Sequence, residues 1–141
     1  MTAARREPSR REGGLALAPL VAVALIVGLL AAIVIPLYID QNKKARDTAA
    51  KSDLTAVAES IRAAVEEGQV DPPTLAVSGT SVTLDGKAVA TLSPGVVLGS
   101  LQWVSFDDWC IDLIQPAGKH SAKPGYKFEG PDGETKTGQC T

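Results

Sequence analysis

Residues 15–39 read LALAPLVAVALIVGLLAAIVIPLYI, twenty-five consecutive residues without a single charge. A bilayer core of roughly 30 Å takes about 20 apolar residues at ~1.5 Å rise each, so this run is long enough to span one with some tilt. A cleavable secretory signal fits it poorly, because such a signal has an apolar core of about 7 to 15 residues followed by an A-x-A-like site. Here the run is longer, and Asp40-Gln41-Asn42-Lys43-Lys44-Ala45-Arg46 follows it, a sequence suited to continuing a helix. The segment is therefore expected to stay in the mature protein as a membrane-inserted helix.

Upstream, residues 1–14 are rich in Arg, Ser and Pro and end in Gly13-Gly14, a composition with nothing to bury. They read as a leader. Arg5, Arg6, Arg10 and Arg11 stand against Glu7 and Glu12, and by the positive-inside tendency this end stays cytoplasmic. Lys43, Lys44, Arg46 and Lys51 on the far side nearly match them in number, so the cysteines weigh in the orientation. Only Cys110 and Cys140 are present, both in the distal part, which fits a single bridge formed in an oxidising compartment. The chain has a net charge of -2. The leader holds +2 of it, which leaves -4 for the remainder. An acidic body argues against nucleic acid as the main partner, since phosphate binding draws on clustered Lys and Arg.

Downstream, residues 40–67 continue as an amphipathic helix. Ala50, Leu54, Val57, Ile61, Ala64 and Val65 recur at intervals of three or four and place an apolar stripe on one face, opposite Lys51, Asp53, Glu59, Arg62 and Glu66. Gly68 stands where a helix C-cap is expected, and Asp71-Pro72-Pro73 forbids continuation. Residues 68–141 change to short β-type runs: 74–77, 81–84, 87–92, 96–98, 101–106, 109–114 and 126–129. Asp85-Gly86 between the second and third suits a tight hairpin. The expected fold class is α+β: a long N-terminal helix whose C-terminal half packs on a small antiparallel β head with one disulfide.

Several stretches of this chain resemble type IV pilins and pilin-like proteins. GLLAAIVIPLY, Gly28 to Tyr38, resembles the family's GILAAIAIPQY almost residue by residue, and WCIDL at 109–113 with GQC at 138–140 resembles the C-terminal disulfide region of many pilins. If Leu15 is the first mature residue, Gly28 and Pro36 fall at the fourteenth and twenty-second places, where many pilins carry Gly and Pro. The resemblance implies cleavage after Gly14 by a prepilin peptidase, N-methylation of Leu15, and passage from the inner membrane, through a pilus assembly platform, into a filament of pilin subunits at the cell surface. It implies a structural role, with residues 28–36 as a stretch where the helix can loosen on assembly. One residue departs from the pattern: the fifth mature position, usually Glu in the family, is Pro19, and no acidic residue occurs anywhere in 15–39. Pilin-like proteins without this Glu are often minor or tip subunits, so the departure points to a minor pilin rather than assuring a major one. The alternatives are a single-pass membrane-anchored extracytoplasmic binding module and a type II secretion pseudopilin.

Catalysis has little to stand on in this sequence. There is one His, no Gly-rich phosphate loop and no nucleophile-base pairing at a recognisable spacing. No cofactor motif is present, and the two cysteines lack companions at metal-ligand spacing. Asp107-Asp108 and the acids between Glu129 and Glu134 do not follow the ligand order of a calcium loop. Lys119, His120, Lys123 and Lys127 form a basic loop for which the ordinary expectation is a solvated surface.

Overall fold

The computed structural model describes residues 17–68, 72–130 and 133–141. Helix α1 runs Leu17–Glu66, and eight strands follow: β1 Leu75–Ser78, β2 Ser81–Leu84, β3 Lys87–Thr91, β4 Val97–Leu98, β5 Gln102–Ser105, β6 Asp108–Ile114, β7 Tyr126–Gly130 and β8 Glu134–Thr137. The chain forms two compact units that divide between Ile39 and Asp40. The first contains the apolar half of α1. The second contains the rest of α1 and all eight strands, and is called the head below.

Within the head, α1 is built as its sequence directs. Asp40 and Lys44 pair one turn apart at 2.8 Å. Thr48, Thr55 and Ser60 turn their hydroxyls back onto the carbonyls of Lys44, Lys51 and Ala56, which satisfies them on the helix itself. The helix closes where expected, with Gly68 at φ 73 and its N–H on the carbonyl of Val65. The buried face comprises Asp47, Ala50, Leu54, Val57, Ala58, Ile61 and Ala64. Ala58 belongs to it because it lies four residues after Leu54 and three before Ile61, whereas Val65, at the margin of the stripe, is half-buried.

The antiparallel layout expected of the head is present, divided into two sheets. The first is ordered β1-β2-β3. Its β2–β3 turn is Asp85-Gly86 with φ of 50 and 80, both positive, as a type I′ hairpin requires. Val82 and Leu84 alternate inward from β2. The second sheet is ordered β4-β6-β7-β8, and β5 also pairs with β6. Val97 and Leu98 face Ile114 and Leu113, while Gln102 and Trp103 face Cys110 and Trp109, so β4 and β5 lie end to end along one edge of β6. Trp109, Ile111 and Leu113 of β6 with Tyr126 and Phe128 of β7 form the sheet's buried face. Strand β8 was not expected: ETKT carries no apolar alternation, and its position comes from pairing with β7.

The core is the meeting of these two faces: the small residues and aliphatics of α1 against the aromatics of β6 and β7. Trp109 is 3 % exposed and stacks between Trp103 at 6.2 Å and Phe128 at 5.7 Å, an offset series that concentrates most of the head's aromatic area in one place. Cys110 and Cys140 are bonded, with a sequence separation of 30. The N–H of Cys140 donates to the carboxylate of Asp112 at 2.9 Å, so bridge and hydrogen bond together hold the tail against β6. Closing a loop of that length is worth about 3 to 4 kcal/mol in the chain-entropy model. The C110A/C140A double variant is expected to lose about that much head stability in chemical denaturation, with a steeper slope because the unlinked unfolded chain exposes more surface.

Candidate functional site

The first unit presents a surface that water does not suit. From Leu17 to Ile39 every residue is exposed except Ala31, which is half-exposed. Fifteen of them are large apolar side chains between 48 % and 69 % exposed. They occupy all sides of the helix, so no orientation of this segment against a single flat surface would cover them. By length and composition α1 is a candidate membrane span. At roughly 1.5 to 3 kcal/mol for each such side chain transferred out of water, covering them involves tens of kcal/mol.

Within this segment lie Gly28 and Pro36. A Cβ on Gly28 would meet no neighbouring atom of the described residues within 4 Å, so the position is open to the close approach that glycine permits to another helix. Pro36 lies inside the helix and has no N–H to offer the carbonyl of Ala32. Pro19 lies in the first described turn of α1. Gly14 and Leu15, the expected processing positions, lie outside the described residues.

In the head, a single carboxylate organises the loop between β6 and β7. Asp47 is 6 % exposed, placed on the buried face of α1 three residues before Ala50. One of its oxygens, Oδ1, accepts the N–H of Lys119 at 2.8 Å, the N–H of Ser121 at 3.0 Å and the hydroxyl of Ser121 at 2.6 Å. The other, Oδ2, accepts the N–H of His120 at 3.0 Å. Gly118 must be glycine for this to fit, because a Cβ there would overlap both Ser121 Oγ and Asp47 Oδ1. Burial alone would raise the acid's pKa, but the bonds from the Ser121 hydroxyl and from the N–H groups of His120, Ser121 and Lys119 outweigh it and hold the value at about 2. Lys119 then reaches Asp40 with its ammonium, 3.3 Å away.

Two further polar clamps fix the head's loops. Asp53 was expected on the solvated face of the helix, yet it accepts the N–H of Ser93 at 2.7 Å and the Ser93 hydroxyl at 3.2 Å, so it anchors the turn after β3. Gln115 is buried and donates to the carbonyl of Pro94 at 2.8 Å. The four basic residues expected to form one loop separate: Lys119, His120 and Lys123 are exposed, whereas Lys127 lies in β7 and pairs with Glu129 at 2.6 Å. That pairing, with Lys136 also near Glu129, lowers the pKa of this acid and occupies it. Among the described residues no group of three or more His, Cys, Asp or Glu is placed to hold a metal ion.

Set beside known proteins, the chain matches no family model, and no curated protein or solved structure is significantly similar to it. What the geometry defines is a class of molecule: an α+β head closed by a disulfide and continuous in sequence with an apolar helix long enough to cross a bilayer.

Asp47 yields a pH prediction. Its folded pKa of about 2 lies below the ordinary 3.8, so its contribution is complete above the unfolded value and is lost as pH falls through the folded one. The difference corresponds to about 2 kcal/mol. Asp47→Asn should therefore destabilise the head by about that amount at pH 7. The gap between variant and wild type should close as pH is lowered from about 4 to about 2, which thermal melts in a pH series would measure.

Proposed function

We propose that this chain is a structural subunit of a type IV pilus or a related pilin-like filament. In this reading it is made as a prepilin, inserted in the inner membrane through residues 15–39, cleaved after Gly14, methylated at Leu15 and drawn into a filament with other pilin subunits. The observation that carries the reading is the segment Leu17–Ile39, apolar on all sides, with a glycine at position 28 against which no other described residue packs. A lipid bilayer covers such a surface, and so does a bundle of identical helices. Gly28 and the alanines at 18, 22, 24, 31 and 32 favour the second, because close helix approach is where small residues contribute most. Pro36, which cannot donate the usual helix hydrogen bond, and Gly28, which weakens a helix by entropy, make residues 28–36 the place where the helix can loosen when lipid is exchanged for neighbours.

Pro19 in place of an acid bears on rank within the filament. A carboxylate in the membrane is costly and is kept for a partner. A subunit without one inserts more readily but lacks that means of fixing its register. This favours a minor or tip position over the bulk of the fibre. A pseudopilin of a secretion filament is the second reading, since it would use the same apolar helix. A plain membrane-anchored module makes no use of the close helix approach that Gly28 allows.

Two measurements separate the readings. Mass spectrometry of the native protein should find a methylated Leu15 as the N-terminus in cells with active prepilin peptidase, and an intact Met1 there contradicts the proposal. Gly28→Leu should leave membrane insertion unchanged while lowering the amount recovered in sheared filaments severalfold; unchanged recovery would favour the simple anchor.

A further inference from the structure

We propose that the head carries a cationic collar that binds the anionic phosphate headgroups of the leaflet from which it emerges, and that the lock at Asp47 exists to complete it. The proposal rests on residues 17–39 being inserted in a bilayer. The residues that follow Ile39 directly, 40–47, make two turns of helix, about 12 Å along the axis at ~1.5 Å per residue. The headgroup layer on one side of a bilayer is about 5 to 7 Å thick. These two turns therefore leave the apolar core through the depth at which lipid phosphates lie.

In those turns Lys43, Lys44 and Arg46 are exposed. The loop between β6 and β7, distant in sequence, is brought to the same two turns by the bonds of residues 119–121 to Asp47 and of the Lys119 ammonium to Asp40. It adds Lys119 and the imidazole of His120, both exposed, and Lys123, also exposed, follows the bonded Ser121 by two residues. The opposing charges are Asp40, shared between Lys44 and Lys119, and Asp47, turned inward onto N–H groups. Lys43, Arg46 and Lys123 form no ion pair among the described residues. These segments together hold five Lys and Arg against two carboxylates, a surplus of +3.

The remainder of the chain has the opposite sign. Outside the leader and the collar there are five Lys and Arg against twelve Asp and Glu, a balance of -7. A negatively charged surface would attract the collar and repel the rest of the head, so the segregation of charge supplies an orientation as well as an affinity. The same imbalance disfavours a long polyanion such as DNA, which would have to run past the acidic surface. Basic residues beside a span gain from anionic lipid only within about a Debye length, ~8 Å at physiological salt, a condition that residues 40–47 meet.

The test uses hydrogen–deuterium exchange of the full chain in phosphatidylcholine vesicles and in vesicles containing one-third phosphatidylglycerol. Residues 17–39 should be protected in both. Peptides covering 40–47 and 117–125 should exchange at least about fivefold more slowly with the anionic lipid at low salt, and the difference should vanish at high salt. In K43Q/R46Q/K123Q the lipid dependence should disappear while protection of 17–39 and the melting of the head persist. Equal exchange in the two lipids, with 17–39 protected, would overturn the collar alone. Unprotected 17–39 in both would overturn insertion and the collar with it. Slowed exchange on adding soluble glycerol phosphate to phosphatidylcholine vesicles would assign a free-phosphate site, and duplex DNA retained by the wild type only, without lipid dependence, would assign a nucleic-acid site; either result overturns the lipid proposal.

Discussion

A helix that is apolar around its whole circumference has to be taken out of water, and the rest of this molecule is arranged around that requirement. The segment Leu17–Ile39 has no polar face to show to solvent, and its large apolar side chains are exposed. The head closes its own core with a different stretch of α1, from Ala50 to Ala64, on the aromatics of β6 and β7 and the aliphatics of β2. One helix thus has two unlike halves. Its first leaves its apolar side chains exposed. Its second half is satisfied within.

The head is small, and its stability comes from concentrated features as well as from apolar area. A disulfide ties the last residues to β6, and aspartates at 47, 53 and 112 each hold a loop or tail by accepting N–H groups. Charge-assisted bonds of this kind are stronger than neutral ones, and each acid satisfies donors that a loop would otherwise leave exposed or unpaired. Such clamps suit a domain whose core rests on one helix face. They also set which surface lies next to the apolar segment in sequence, because the loop held by Asp47 brings its basic residues to the first turns of the head.

Much of this was legible from residue order. The helix stop at Gly68, the Asp85-Gly86 hairpin and the apolar stripe are local signals, and the structure repeats them nearly in place. Strand β8 was not legible, because Glu134–Thr137 has neither alternation nor β-branched density beyond two threonines, and an edge strand of that kind is specified by its neighbour. Asp47 and Asp53 were missed for a related reason. An acid on an amphipathic helix reads as solvated, and only a loop more than 35 residues away in sequence decides otherwise. A hint was present in the spacing, since Asp47 lies three residues before Ala50 and so continues the buried stripe.

The central claim is that the surface of Leu17–Ile39 is covered first by lipid and then by the same segment of other subunits. A photo-crosslinking residue at position 25, activated in intact cells, tests it directly. The account predicts lipid adducts in the membrane fraction and, in sheared filaments, adducts joining position 25 to residues 17–39 of another subunit. Lipid adducts alone, with no subunit adducts in any fraction, would contradict it.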